Sequence, residues 1–401
     1  MRSHTAPTSS ATRLDELLRL RVEAGEAFFA AQAPRLAELC HRMAERFARG
    51  GRLLALGGSP QARSDARHVA VEFVHPVIVG KRALPALALA GEAGPLAREL
   101  ALAAEPGDIV MAFEGGEPAR ALAAARETGC LTVAFARAGA EWDFEPPAGD
   151  PFVAQEIAET AYHLLWELVH VFFDHRGLLE GRTARRTHDS GASSFLYPFL
   201  GETETDLDAV LADVRASVLI KAGEIAELRA QTLSDGRDEL LGAARALRER
   251  LDAGGRLLAL GNGGSATDAM DAVADMHVPP HGWPARAAID LTEDSPILTA
   301  IANDIGVEAL FARQVIAHGR EQDTLLALST SGNSTNVIAA LAEARRRGAL
   351  TIAMVGYDGG SIAAERLADH VIVTRSEHIP RIQEAQASAW HVLRELLEGA
   401  G

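Results

Sequence analysis

From Leu14 to Phe47, and again from Val210 to Leu251, apolar residues recur at spacings of three and four with polar residues between them, the period of an amphipathic helix. Each stretch runs into the same octapeptide, Gly50-Gly-Arg-Leu-Leu-Ala-Leu-Gly57 in one case and Gly254-Gly-Arg-Leu-Leu-Ala-Leu-Gly261 in the other. An unbroken apolar run between glycines reads as a short buried strand, and the glycine-rich sequence after it opens another helix. Further strand candidates follow at Asp108 to Phe113, Leu131 to Phe135, Asp323 to Leu328, Leu350 to Val355 and His370 to Thr374. Strands alternating with helices predict an α/β fold with parallel sheets.

The chain is written twice. The octapeptides stand 204 positions apart, and a second match closes each half: Gln155-Glu-Ile-Ala-Glu-Thr-Ala-Tyr-His163 and Gln383-Glu-Ala-Gln-Ala-Ser-Ala-Trp-His391 keep Gln, Glu, an aromatic and His at equal spacing. The offset has grown to 228, so loops of the first half are shorter. The expected organisation is a polar N-terminal tail at 1–13, a first copy at 14–173, a linker at 174–206 and a second copy at 207–401. The linker is rich in Gly, Ser, Thr and Arg around a small apolar knot at Phe195 to Leu200.

Composition narrows the class. With 401 residues and 48% hydrophobic content the chain is long enough for two or three globular cores. The net charge of −16, with no basic stripe, argues against nucleic acid as a partner. Cys40 and Cys130 stand far apart and outside any CxxC spacing, which argues against a disulfide framework or a thiolate zinc site and suits a reducing cytoplasm. No apolar run approaches the ~18 residues of a membrane helix, and Met1 to Arg13 has no signal-type apolar region. A cytoplasmic protein without a membrane partner is the expectation.

In the second half, Gly261-Asn262-Gly263-Gly264-Ser265 is a glycine-rich strand-to-helix turn, which leaves backbone N–H groups open to a polar ligand but is also common as plain turn chemistry. The next strand ends in Ser329-Thr330-Ser331-Gly332-Asn333-Ser334 and leads into a helix from Val337 to Arg347. Five hydroxyl or amide side chains beside orphan helix N–H groups make a nest for a phosphate without Lys or Arg. A polar loop with a Ser cap would need one such residue.

These two loops, with Asn303-Asp304 between them and Arg381-Ile-Gln-Glu384 followed by His391, resemble the sugar isomerase (SIS) fold and, more closely, the phosphoheptose (sedoheptulose 7-phosphate) isomerase family. The resemblance covers about Val210 to Glu398. It implies a five-stranded parallel sheet between helices and a phosphate held by Ser329, Thr330, Ser331, Asn333 and Ser334. It also implies a sugar near Asn262, Gly263, Gly264, Ser265, Asp304 and Gln383. Family members interconvert a ketose and an aldose phosphate through an enediol, a carboxylate moving the proton between carbons and a His acting at the oxygens. His391 is the candidate acid. Family members place His and Glu four residues apart on the helix after the glycine loop, where this half has Asp271 and Asp275. Asp275, the candidate base, reaches one methylene less than Glu, which weakens it in that role, and a catalytic pair and a solvated helical face are equal readings of Asp271 and Asp275.

The first half holds the missing pair. Aligning Asp65 with Asp268 sets His68 opposite Asp271 and Glu72 opposite Asp275, with Gln155 and His163 completing the polar set. His68 and Glu72, four apart, share one helical face. The phosphate loop, however, is shortened to Glu114-Gly-Gly-Glu-Pro118, whose carboxylates would repel a phosphate. Two expectations follow: a composite site in which Glu72 and His163 serve the loops of the second half, or a first copy that is a scaffold carrying remnants. Some phosphoheptose isomerases carry zinc, and the resemblance sets its ligands at His68, Glu72, Gln155 and His163. Gln155 and His163 lie about 12 Å apart along one helix, an awkward span for a single metal, so zinc stays an open alternative and no cofactor is taken as required. Lys81 and Arg82 read as a surface turn or an anion contact. The leading function is isomerisation of a sugar phosphate, with sedoheptulose 7-phosphate as substrate. The alternative is a non-catalytic SIS protein that binds a sugar phosphate or a protein partner as sensor or scaffold. A homodimer, imitating a tetramer of single SIS domains, is the expected assembly.

Overall fold

The computed structural model describes residues 10–78, 81–91, 96–147, 149–174, 179 and 206–399. The first half runs α1 (Ser10–Ala48), β1 (Leu53–Leu56), α2 (Pro60–Val74), β2 (Ala86–Leu89), α3 (Leu96–Ala103), β3 (Ile109–Ala112), α4 (Glu117–Glu127), β4 (Leu131–Ala134), β5 (Trp142–Asp143) and α5 (Pro151–Asp174). The second runs α6 (Leu207–Asp235), α7 (Arg237–Asp252), β6 (Leu257–Leu260), α8 (Gly264–His277), β7 (Ala288–Asp290), α9 (Ser295–Asp304) and α10 (Leu310–His318). It continues with β8 (Thr324–Ser329), α11 (Thr335–Arg346), β9 (Leu350–Gly356), α12 (Gly360–Ala364), β10 (His370–Thr374) and α13 (Ile379–Gly399). All pairings are parallel, and the two five-stranded sheets share one order, β2-β1-β3-β4-β5 and β7-β6-β8-β9-β10. The two-copy α/β expectation is met.

Every strand expected from an apolar run is present; β2, β5 and β7 were not anticipated. They are edge strands of four, two and three residues, only partly buried where the central strands are buried throughout, so they carry no sustained buried run. The helical stretch expected from Val210 to Leu251 is two helices, interrupted at Gly236, the residue least able to hold a helix interior after proline.

Each central strand of the second sheet is buried and feeds two cores. Leu257, Ala259, Leu326, Leu328, Ile352 and Met354 point to one face, against α7, α8 and α13. Leu258, Leu260, Leu325, Ala327, Ala353 and Val355 point to the other, against α10 and α11. This is the period-two alternation of a sheet covered on both sides.

The compact units differ from the linear halves. One unit holds Gly25–Glu224; the other joins the start of α1, up to Ala24, to the chain from Ile225 onward. Leu14 and Leu17 are 0% and 1% exposed and lie in one cluster with Leu233, Leu240, Trp390 and Leu393. Arg21, also buried, bonds Glu395 at 2.7 Å. The start of α1 therefore packs with the second copy, and the boundary at residue 14 is a boundary of repeat and not of packing. Residues 10–13 of the expected tail belong to α1. The expected linker lies outside the described residues except for 174, 179 and 206.

One device is duplicated. Asp108 accepts from the Arg52 backbone N–H at 2.8 Å and from its guanidinium at 2.7 Å, and Asp323 does the same for Arg256 at 2.9 and 2.7 Å. Burial pushes the Asp108 carboxyl up, but the Arg52 and backbone hydrogen bonds outweigh it and hold the group below its ordinary range. Lys81 and Arg82 are engaged in packing: Lys81 bonds the Glu167 carbonyl and lies 5.2 Å over Trp166, and Arg82 lies 5.1 Å over Phe173.

Candidate active site

In a sheet of this order the crevice opens at the carboxyl ends of the two central strands whose connections depart in opposite directions. For the second sheet these are β6 and β8, and the two loops read as ligand-binding leave from those ends. The loop after β8 turns back on itself: Gly332 N–H donates to Ser329 Oγ at 3.2 Å, Ser329 Oγ meets Ser334 Oγ at 3.3 Å, and Asn333 N–H donates to Ser331 Oγ at 3.2 Å. Gly332 has φ +62°, and a Cβ there would run into the Gly359 carbonyl, so the tight turn and its seat on the α12 loop both exclude a side chain. Asn333 Oδ1 accepts from the Ser361 N–H at 2.9 Å and fastens the same contact.

Ser334 occupies the cap position of α11 yet makes no side-chain cap bond, and of the first turn's N–H groups that of Val337 donates to Asn336 Oδ1 at 3.0 Å, leaving those of Thr335 and Asn336 beside the hydroxyls. The glycine loop also lacks a cap side chain: Gly263, at φ +59°, precedes α8, and Gly264 and the buried Ser265 form its first turn. Asn262 and Asn336 exchange two amide hydrogen bonds at 3.0 and 2.9 Å, locking the two loops together. Asn336 was not singled out from sequence; its position in the first turn of α11, after a loop already rich in hydroxyls, was the available signal. Thr330 and Ser331 lie in the loop half-buried. Asp304 ends α9, exposed, with its carboxylate on the Asn303 amide at 2.7 Å.

Farther along α8 the site becomes buried and ionisable. Asp271 and Asp275, four residues apart on α8, face His391 on α13: the imidazole Nε2 lies 3.4 Å from Asp271 Oδ2 and 3.5 Å from Asp275 Oδ2. Trp390 donates its indole N–H to Asp275 Oδ2 at 2.9 Å. All four side chains are buried, so the solvated-face account of Asp271 and Asp275 does not hold. In the sequence Trp390 is marked only as the aromatic that the repeat keeps opposite Tyr162. Gln383 is buried two turns earlier on α13.

The first half assembles the equivalent triad. His163 on α5 meets His68 on α2 at 3.3 Å between Nε2 atoms, and His68 Nε2 lies 4.0 Å from Glu72 Oε1. Burial, with the neighbouring His163, drives the His68 pKa well below its ordinary value, leaving a neutral ring. Ligand atoms of His68, Glu72 and His163 all fall within 4.8 Å of one another, as do those of Asp271, Asp275 and His391. Gln155, eight residues before His163 on α5, has its amide nitrogen 3.5 Å from Asp65 Oδ2.

The first-half loops are built otherwise. Glu114, following β3, places Oε1 2.6 Å from the Gly58 N–H and 2.9 Å from the Ser59 N–H, in the turn that opens α2. Ser59 caps α2 in the ordinary way, accepting from the Ala62 N–H at 3.2 Å. The carboxylate thus sits on the amides that correspond, at the octapeptide offset of 204, to those of Asn262 and Gly263 in the second half.

Comparison with known proteins supports this architecture. The family profile described as SIS domain matches residues 222–356. The phosphoheptose isomerase of Citrifermentans bemidjiense is 47% identical over 148 residues, which cover 36% of this chain and 76% of that protein. The phosphoheptose isomerase of Nitratidesulfovibrio vulgaris is 38% identical over 192 residues, covering 46% and 89%. Among solved structures, a tagatose-6-phosphate ketose/aldose isomerase from Escherichia coli covers 98% of this chain and 94% of its own at a TM-score of 0.57 and 14% identity, a likeness of two-domain fold. With sheet order, loops and these relatives in agreement, the chain belongs to the SIS-domain family of phosphoheptose isomerases.

Proposed function

We propose that the protein is a ketose–aldose isomerase acting on a sugar phosphate, with sedoheptulose 7-phosphate as substrate. The observation that carries this reading is the Ser329–Ser334 loop at the mouth of β8, whose hydroxyls stand beside the uncapped start of α11. Such an array suits a phosphate ester, and the Asn262–Asn336 pair holds the glycine loop beside it for the sugar hydroxyls. Asp304 and Gln383 are assigned to the sugar on the resemblance alone.

The proton chemistry falls to the triad on α8 and α13. Asp275, held by the Trp390 indole, takes the proton from one carbon of the bound sugar and returns it to its neighbour; His391, facing the same carboxylate, exchanges a proton with the carbonyl and hydroxyl oxygens. Burial excludes water and sharpens these interactions. His68, Glu72 and His163 form the second set of ionisable groups. Two imidazoles and a carboxylate of matching reach, with His68 neutral, fit a zinc ion, which would lower the pKa of a bound water or polarise an oxygen there.

The test follows exchange of the C1 proton of sedoheptulose 7-phosphate with deuterated solvent by NMR, with and without added zinc. The native protein is expected to exchange and to produce an aldose. Asp275→Asn is expected to lower exchange by at least about 100-fold, the contribution of a positioned general base, and Glu72→Gln to preserve it. Loss of exchange in Glu72→Gln with Asp275→Asn still active would move the base to the first-half triad. Binding of the sugar without exchange would favour a sensor.

A further inference from the structure

The strand register gives an exact correspondence between the two phosphate-loop positions. Leu53–Leu56 pairs with Ile109–Ala112, and the identical Leu257–Leu260 pairs with Thr324–Ala327. Two residues beyond Ala112 is Glu114; two beyond Ala327 is Ser329. The position that opens the hydroxyl loop in one half therefore carries a carboxylate in the other. That carboxylate accepts from two successive backbone N–H groups, Gly58 at 2.6 Å and Ser59 at 2.9 Å, at the start of the fifteen-residue helix α2. Gly58 is fitted to it, since a Cβ there would stand 2.8 Å from Glu114 Oε1.

We propose that Glu114 is a built-in anion that closes the first-half turn to phosphate esters, so that a chain with two copies of the fold presents one open phosphate loop. Paired N–H groups beside a helix start favour a negative charge. Three features show that the occupant is specific: the carboxylate is seated on both amides, its neighbour lacks the Cβ that would displace it, and it stands in register with Ser329. Being tethered, it competes at an effective concentration of about millimolar or above, and any phosphate entering beside it would also meet its charge. Glu114 starts from the position of Ser329 and reaches across to the counterpart of the Asn262–Gly263 turn, so one internal anion lies between the two loops of the first half. The first copy is then specialised against phosphate, which leaves its His68, Glu72 and His163 triad without a phosphate anchor of its own.

The inference borrows the phosphate reading of the Ser329 loop for its comparison, and one experiment separates the two. In protein labelled with 15N-glycine, the amide of Gly58 reports the first half and that of Gly332 the second, while inorganic phosphate is added. In the native protein Gly332 is expected to shift and Gly58 to stay still. In Glu114→Ala, Gly58 is expected to respond at phosphate concentrations at least about tenfold below any that move it in the native protein, and phosphate is expected to raise the melting temperature of the variant more than that of the native chain. Glu114→Gln keeps the acceptor without the charge and serves if the alanine variant does not fold; phosphate is expected to displace its amide more readily than the native carboxylate. A folded Glu114 variant whose Gly58 ignores phosphate overturns the proposal, as does a native protein whose Gly58 responds like the variant. A silent Gly332 would count against the open-loop reading and leave the Gly58 result standing.

Discussion

Single residues of this protein are set by very local competition between burial and charge. His170 on α5 has Nδ1 2.8 Å from the Trp166 carbonyl and Nε2 3.0 Å from the Arg82 carbonyl. Those two acceptors favour a doubly protonated ring, but burial, seconded by the Lys81 and Arg82 cations, prevails and lowers its pKa to about 4. Because the folded value lies below the ordinary 6.5, the unfolded chain takes up a proton that the folded chain refuses as pH falls between those values. Stability from this residue is present in full above pH 6.5 and is lost towards pH 4, on the order of 3 kcal/mol in total. The gap in unfolding free energy between His170→Phe and the native protein should change by about that amount across urea titrations from pH 7.5 to 4. A gap independent of pH would refute the assignment. Nothing in the sequence marks His170, because its partners are backbone carbonyls brought there by the fold.

At the scale of elements, the duplicated Arg–Asp clamp ties the start of each central strand pair. Asp108 joins the entry of β1 to that of β3, and Asp323 does so for β6 and β8. Each carboxylate is buried and charge-paired, so Asp108→Asn and Asp323→Asn should each cost about 1.5–3 kcal/mol in denaturant unfolding. For Asp108, whose pKa is held down, that stabilisation is present at neutral pH and is lost as pH falls below the ordinary carboxylate range. The Arg was visible in both octapeptides and the Asp at the head of both following strands. Their pairing required the register. Helix faces were legible for the same reason as strands: the spacing of His68 and Glu72, and of Asp271 and Asp275, sets each pair on one face whatever surrounds it. What that face meets was not legible. The partner of each pair, His163 or His391, stands more than 90 residues away in sequence.

For the whole molecule, packing and repeat do not share a boundary. The start of α1 contributes Leu14, Leu17 and Arg21 to the unit that contains the second sheet. Leu17→Ala should therefore destabilise the core containing Trp390 and Leu393 by about 2–5 kcal/mol. Arg21→Ala should cost about 3–5 kcal/mol by leaving Glu395 buried without its closest partner, while Arg21→Met with Glu395→Leu should cost much less. Urea unfolding followed by the fluorescence of tryptophan would read both; an Arg21→Ala variant as stable as the double variant would exclude the pairing as the cause. Among the described residues no helix is long and apolar enough to cross a membrane.

The sequence by itself determined the duplicated α/β plan, the central strands, the loops at Asn262–Ser265 and Ser329–Ser334, and the acidic and histidine positions on their helices. These are properties of period and composition, which a chain carries before it folds. The tertiary structure alone decided the edge strands, the placement of α1, the Asn262–Asn336 lock, the Trp390 bond to Asp275 and the seat of Glu114 on the Gly58 and Ser59 amides. Each of these depends on a partner tens or hundreds of residues away, or on a backbone group that every residue possesses, and neither leaves a mark in the order of side chains along the chain.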